Sequence, residues 1–195
     1  MKKNVKITGV LVSLVMLIGA GTFVANNSNA QEKTYIISDR GPAGGWIFYD
    51  KGKTSDGWRY LEAAPVDQSK NAGWGCVGKS IPGAQGTAVG TGKSNTLAIV
   101  KGCGETGIAA KLCTEYRGGG KSDWFLPSKD ELDLMYTNLH KAGVGAFNGV
   151  TAFDHYWSSS EDGADDAWSR RFAGGRQNTF NKSFKALYVR AVRAF

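Results

Sequence analysis

One segment of the 195-residue sequence constrains the fold more than any other, the stretch DWFLPSKDELDLMYTNLHKAG at 123–143. Ser128 and Glu131 have the spacing of a capping box, in which each side chain satisfies a backbone N–H group that the start of a helix leaves unpaired. Four apolar side chains then recur at helical spacing on one face: Leu132, Met135, Tyr136 and Leu139. Gly143 is typical of a helix C-terminus. The sequence therefore predicts an amphipathic helix with one face in a hydrophobic core.

Short strand-like runs lie on both sides of this helix, so the chain mixes the two kinds of secondary structure. The runs before it are TYIIS, GGWIFYD and WRYLEAAP, and those after it are HYWSSS, DAWSRRFA, NTFNKS and LYVRAVRAF. A long glycine-rich loop is predicted from Asn71 to Thr91. One helix is expected to begin near Ser94 or Asn95, and a second near Thr106, ending before Gly118. No repeat at a fixed period is present.

The first thirty residues have the pattern of an export signal. Lys2, Lys3 and Lys6 precede an apolar run from Ile7 to Ala25, and small residues at 28–30 predict cleavage before Gln31. The alternative is an uncleaved anchor, because the run approaches the roughly 20 residues that span a bilayer. With cleavage, residues 31–195 form a single domain that is periplasmic, displayed on the cell surface or secreted, with no stable membrane insertion.

The charge of the remaining chain argues against a nucleic-acid partner. Three of the 24 basic residues and none of the 17 acidic residues lie in the signal, which leaves 21 basic and 17 acidic residues and a net charge of +4. That excess is too small for a nucleic-acid-binding arm. Export further favours a partner outside the cell.

Three cysteines in an oxidising compartment predict one disulfide and one thiol. Cys76 and Cys103 both lie in glycine-rich loops, which favours a bridge between them. Cys113 falls on the apolar face of a predicted helix and is expected to be buried. No cysteine pair has metal-site spacing, and His140 and His155 are isolated in sequence, so a cysteine–histidine metal site is disfavoured.

Three local motifs invite a catalytic, phosphate-binding or metal-binding interpretation. GTGKS at 90–94 resembles a phosphate-binding loop, but Thr87 stands where the first glycine is required, so it is interpreted as a turn before a helix. A cluster of four acids provides weak calcium candidates, for which solvated turn carboxylates are the favoured alternative. These acids are Glu161, Asp162, Asp165 and Asp166. Ser158–Ser160 lack the surroundings of a hydrolase nucleophile.

Cations and aromatic residues alternate near the end of the sequence. Arginine can bind sulfate or carboxylate groups with two hydrogen bonds, and aromatic rings offer flat faces to a sugar or a protein. The alternative is a sheet with its apolar residues inward and its cations outward. Arg190 and Arg193 lie in so apolar a strand that they are expected to pair with acids or carbonyl groups.

Several of these segments together resemble the Lcl C-terminal domain family. They are GPAGGWIFYD, DGWRYLEAAP, GTGKSNT, SDWFLPSKDEL, YWSSSE and YVRAVRAF, which span about Gly41 to Phe195. The family was delimited at the end of a bacterial collagen-like adhesin and is similar to C-type-lectin-like and formylglycine-generating-enzyme-like folds. The resemblance implies an α+β fold with two main helices packed on twisted antiparallel β-sheets and long loops.

The resemblance also implies a function. Adhesin-like members bind sulfated glycosaminoglycans or other surface ligands, whereas the cysteines of the enzyme relatives have no match here, which implies a protein without catalytic activity. The segment from YWSSS to the final VRAVR also resembles the layout of variable proteins of diversity-generating retroelements, whose diversified residues lie in this region.

These observations predict an exported ligand-binding domain that contacts an anionic glycan or a protein partner through exposed loops within 154–188. No cofactor is expected, and both calcium binding by the acidic cluster and the oligomeric state stay open. The alternatives are a degenerate formylglycine-generating-type envelope enzyme and a structural envelope protein. The candidate binding residues are Asp154, His155, Asp162, Asp165, Asp166, Arg170, Arg171, Arg176, Phe180, Lys182 and Lys185.

Overall fold

The computed structural model describes residues 33–151 and 153–195. Along the chain, three strands come first, three α-helices follow, and five more strands complete the described residues. The predicted signal at 1–30 lies outside the described residues, and Thr34–Phe195 forms one compact unit. The strands are β1 (Trp46–Ser55), β2 (Trp58–Ala63), β3 (Ser69–Ala72), β4 (His155–Asp162), β5 (Asp166–Arg171), β6 (Gln177–Asn181), β7 (Leu187–Val189) and β8 (Val192–Ala194). The helices are α1 (Gly92–Gly102), α2 (Ala109–Glu115) and α3 (Lys129–Asn138).

The strands form two sheets. One has three strands in the order β1-β2-β8, and the other has five in the order β3-β7-β4-β5-β6. The neighbours are antiparallel except for β4 and β7, which are parallel. The expected α+β class is confirmed, whereas the expectation of purely antiparallel sheets is wrong at this one pair. Three α-helices are present among the described residues, at the places where the sequence predicts them, and α1 and α3 are the two longer ones.

The segment YVRAVRAF is not the single strand that its sequence suggests. It divides around Arg190 and Ala191, so that β7 belongs to the five-stranded sheet and β8 to the three-stranded sheet. The buried Arg190 donates to Asp67 Oδ1 at 2.6 Å and to the carbonyl oxygen of Ala64 at 3.0 Å. Its guanidinium group thereby holds the chain where it passes from one sheet to the other.

The second terminal arginine is also paired. Arg193 Nε donates to Asp123 at 2.9 Å, and its Nη1 donates to the buried Glu62 at 3.3 Å. The prediction that Arg190 and Arg193 pair with acids or carbonyl groups is therefore confirmed.

The capping-box helix forms as predicted. Ser128 Oγ accepts from the backbone N–H of Glu131, and Glu131 Oε2 accepts from that of Ser128 at 2.8 Å. The helix ends at Asn138, and a short 3₁₀ turn at 140–142 follows before Gly143, whose φ of 71° ends that turn. By contrast, TYIIS is not a strand: residues 34–38 contain only turn and irregular structure.

Strand β4 lies between two hydrophobic clusters, which explains its adjacent aromatic residues Tyr156 and Trp157. Trp157 packs in a cluster with Trp74, and Tyr156 packs in a second cluster with Phe48 and Met135 of α3. Successive side chains of a strand point to opposite faces, so the burial of Tyr156 and Trp157 shows that both faces of this strand are covered. No helix within the described ranges is long and apolar enough to cross a membrane.

Candidate functional site

Lys182 and Glu161 form a fully buried ion pair. Lys182 Nζ donates to Glu161 Oε1 at 2.6 Å and to the carbonyl oxygens of Lys79 at 3.0 Å and Ala164 at 2.8 Å. Glu161 also accepts from the backbone N–H of Ile81 at 2.8 Å. The ammonium group thus ties the long glycine-rich loop to the β4–β5 turn. The prediction that Lys182 is exposed to a ligand is wrong, because its charge is neutralised inside the protein.

The four acids of the segment 161–166 do not form one cluster among the described residues. Glu161 faces Lys182, whereas Asp162 is exposed at the end of β4, Asp165 is exposed in the β4–β5 turn and Asp166 is half-buried in β5. Within the described ranges, the one group of three or more potential metal ligands with atoms within 4.8 Å of one another is Cys76, Cys103 and Glu105. Its two cysteines are joined to each other. The Glu161 carboxylate is paired with the ammonium group of Lys182, a cation of the same chain.

The predicted disulfide between Cys76 and Cys103 is present. Glu105 lies beside it and accepts from the backbone N–H of Cys76 at 2.9 Å. Cys113 is a buried thiol, as its helical position predicted, and burial raises its pKa. The bridge holds the glycine-rich loop against the segment that follows α1.

The GTGKS loop uses its backbone amides on a carboxylate of the same chain. Gly90 N–H donates to Glu131 Oε1 at 2.8 Å, and the amide of Gly92 also donates to this carboxylate. A side chain at Gly92 would collide with Glu131 Oε2, so glycine is required there. Burial raises the pKa of Glu131 to about 7, although these amides and that of Ser128 lower it. The interpretation of GTGKS as a turn before a helix agrees with this arrangement.

The three candidate arginines differ in environment. Arg170 is buried against α3, where its guanidinium group pairs with Asp133 and lies 4.4 Å from the ring centroid of Tyr136. Arg171 is half-buried and Arg176 is exposed. The expected exposed position is therefore wrong for Arg170, because an acid and an aromatic ring of α3 cover it.

Asp154 and His155 have internal partners. Asp154 Oδ2 accepts from the backbone N–H groups of Val150 at 2.8 Å and Thr151 at 2.7 Å. Although burial raises the pKa of Asp154, these hydrogen bonds lower it below its ordinary value. His155 Nδ1 lies 3.2 Å from Ser169 Oγ, and its ring centroid is 4.7 Å from that of Phe180. Both side chains are buried, so the expected exposure is wrong for them too.

An open cleft of about 400 Å³ is lined by two of the candidate residues, Lys182 and Lys185. We call it the disulfide cleft. Exposed Lys185 lines it, and Lys182 closes its inner end. Phe180 lies outside the lining, but its ring stacks on that of exposed Phe184 with centroids 5.4 Å apart. Other polar lining residues are Asn71, Glu105, Thr106 and Ser183.

The sequence alone does not indicate the other polar residues of the cleft, which are Asn71, Glu105, Thr106 and Ser183. The disulfide brings the segment 105–108 next to 71–77, although the two are some thirty positions apart in sequence. The predicted Cys76–Cys103 pairing was the one signal that could have placed Glu105 there. Asn71 and Ser183 line the same cleft because β3 pairs with β7 and the backbone N–H of Trp74 donates to the carbonyl oxygen of Lys182 at 3.0 Å, and no local pattern encodes these pairings.

The comparison with known families agrees with the motifs. The Lcl C-terminal domain model matches residues 66–193, about two thirds of the chain. The match begins after β2, so the GPAGGWIFYD and DGWRYLEAAP segments precede it. No curated protein matches the chain. The matched range includes the disulfide cleft, all three helices and both terminal arginines, and the chain belongs to the Lcl C-terminal domain family.

Proposed function

We propose that this protein is an exported, adhesin-like domain that binds an anionic glycan in the disulfide cleft without catalysing a reaction. The observation that carries this proposal is the environment of Lys185. Its side chain is exposed at the cleft and makes no hydrogen bond or ion pair with any residue of the described ranges. A sulfate or carboxylate group would supply the missing partner.

The groups around Lys185 suit a sugar. Asn71, Thr106 and Ser183 provide amide and hydroxyl groups at the cleft, and the ring of Phe184, 43% exposed, offers an apolar face nearby. Lys70, exposed beside Asn71 in β3, lies outside the lining of the cleft and adds a second cation next to it. Aromatic faces combined with a few polar groups are typical of sites that orient small polar ligands.

The walls of the cleft are held before any ligand arrives. The Cys76–Cys103 bridge holds one wall, and the buried Glu161–Lys182 pair holds the inner end. A preformed site loses little conformational entropy on binding, so modest contacts suffice for affinity. This arrangement supports the proposal of a rigid, C-type-lectin-like α+β scaffold with its binding groups in loops.

The test is binding to immobilised sulfated glycan, with the unsulfated glycan as reference, at low and high salt. The protein is expressed from its whole coding sequence and purified from the exported fraction. We expect salt-sensitive retention, reduced about tenfold or more by the double variant Lys70→Ala/Lys185→Ala. Lys53→Ala/Lys141→Ala is the matched control, since both of these lysines are exposed and neither lines the cleft.

Equal losses in the two double variants would show that retention depends on net charge alone and would overturn the cleft assignment. Absence of retention at low salt would overturn the glycan itself and leave a protein receptor as the partner to test.

A further inference from the structure

A second cavity, of about 360 Å³, lies where α1 meets the three-stranded sheet. We call it the β8-edge cavity. Its apolar lining comes from Trp58, Leu61, Leu97, Phe125 and Ala194. Leu97 is 58% exposed, although it projects from a helix that otherwise buries its apolar residues Ile99 and, in part, Val100. An exposed leucine at the mouth of an apolar cavity provides a wall for an apolar group from outside.

The main chain of Ala194 is unpaired at this cavity. Phe195 and Tyr60 exchange backbone hydrogen bonds of 2.9 and 3.1 Å. Hydrogen-bonded and non-hydrogen-bonded pairs alternate in an antiparallel ladder, so the residues of the next pair, Ala194 and Leu61, make no backbone hydrogen bonds with each other. The N–H and C=O groups of Ala194 therefore point away from β2. Among the described residues they have no hydrogen-bond partner.

The same edge is already paired two residues earlier. Phe125 and Val192 exchange two backbone hydrogen bonds, each about 2.9 Å, on the side of β8 that faces away from β2. The pairing stops there, and Ala194 offers the next donor and acceptor in the ladder. A free donor–acceptor pair at a sheet edge is what an extended peptide uses when it adds to a sheet.

The charge at the mouth of the cavity selects among peptides. Lys93 lines the cavity, is exposed, and makes no ion pair or hydrogen bond within the part of the chain that is described. The two nearby acids are engaged elsewhere: Asp56 pairs with Lys51 at 3.2 Å, and Asp123 with Arg193 at 2.9 Å. Glu131, which also lines the cavity, is held by backbone amides. The unpaired ammonium group favours an acidic residue in the ligand.

From these three features we infer that the β8-edge cavity binds an extended peptide segment. One ligand residue pairs through its main chain with Ala194, an apolar side chain enters the cavity between Trp58 and Leu97, and a neighbouring acidic residue meets Lys93. This site is separate from the disulfide cleft and does not depend on glycan binding.

The probes are fluorescein-labelled, acetylated pentapeptides of β-branched residues with a central phenylalanine, followed by either glutamate or lysine. A third peptide carries the glutamate and an N-methyl group on the central amide, which removes main-chain donation without changing the side chains. Anisotropy measures binding to the whole protein. Hydrogen exchange by NMR reports directly on the Ala194 amide.

We expect the glutamate peptide to bind at least tenfold more tightly than the lysine or N-methylated peptide, and to slow exchange at Ala194. Leu97→Asp should weaken binding at least tenfold, and Lys93→Glu should reverse the preference for glutamate over lysine. Lys101→Glu, an exposed change on the same helix, is the matched control. Equal binding of the N-methylated peptide, unchanged exchange at Ala194, or no binding of any probe would overturn the proposal.

Discussion

Two buried glutamates hold the two halves of the glycine-rich region by different means. Glu161 anchors the loop before α1 through the ammonium group of Lys182, with a further hydrogen bond from Ile81. Glu131 anchors the GTGKS turn through the backbone amides of Gly90, Gly92 and Ser128, with no cation. The first carboxylate is balanced by a full charge, and the second by hydrogen bonds from uncharged groups.

The difference shows what each loop depends on. A buried charge with a partner charge is costly to separate, since removal of one member leaves the other uncompensated in a low-dielectric interior. A buried carboxyl group held only by uncharged groups can gain a proton instead, and the raised pKa of Glu131 shows that burial outweighs its hydrogen bonds. One anchor is therefore sensitive to substitution, and the other also to pH.

The largest effect is expected from Lys182→Met, which leaves Glu161 buried without its cation. The free energy of unfolding should fall by about 3–5 kcal/mol, measured by urea denaturation. Lys185→Met, three positions away but exposed, should change it by less than about 0.5 kcal/mol. Adding Glu161→Gln to Lys182→Met should recover part of the loss. No recovery would mean that the hydrogen bonds to Lys79 and Ala164, and not the charge pair, provide the stability.

The second effect is a pH dependence that comes from Glu131. Its pKa is about 7 in the folded protein and near 4.5 when exposed, so the folded state binds a proton more tightly. This contribution to stability is complete below about pH 4.5 and is lost as the pH rises through 7, by roughly 3 kcal/mol at most.

Glu131→Gln tests this sign. Between pH 5 and 7.5 the free energy of unfolding should decline in the unchanged protein, and this decline should be absent in the variant. It should also be less stable at pH 5 by about 1–3 kcal/mol, because the amide NH₂ group meets a backbone donor where the carboxyl group accepted. The same decline in both proteins would assign the pH dependence to other groups.

A smaller contrast is expected between Arg170 and Arg176. Arg170→Ala removes the pairing with half-buried Asp133 and the contact with the Tyr136 ring, which together contribute about 1–2 kcal/mol. Arg176→Ala should stay within about 0.5 kcal/mol, since the side chain is exposed. Thermal denaturation of the two variants side by side measures the difference. Equal melting temperatures would show that α3 does not need Arg170.

Local signals predicted much of the fold. The capping box of α3, the disulfide and the paired terminal arginines were all evident, because each depends on residues whose preferences are strong and short in range. The division of YVRAVRAF between two sheets was not evident. Both halves have the composition of a strand, and only the tertiary pairing with β2 and with β3 and β4 separates them.

The candidate site was predicted less well, and for one physical reason. A lysine or arginine in a strand-rich segment has the same local pattern whether it meets solvent or a distant acid. Lys182 and Lys185 are three residues apart, yet one pairs with Glu161, 21 positions earlier, and the other lines an open cleft. The sequence specifies the charge of each side chain, whereas the order of the strands in the sheets decides which group that side chain meets.

The division of residues 187–194 between the two sheets also orders the events of folding. Strand β7 lies between β3 and β4 in one sheet, and β8 pairs with β2 in the other, so both sheets remain incomplete until this segment has been synthesised. Earlier segments can form α1–α3 and the β1–β2 and β4–β5 hairpins, but the edges that await β7 and β8 stay open to other chains. We therefore expect a nascent chain that stalls before residue 187 to be prone to aggregation. Addition of the eight residues 187–194 completes both sheets and should remove this tendency.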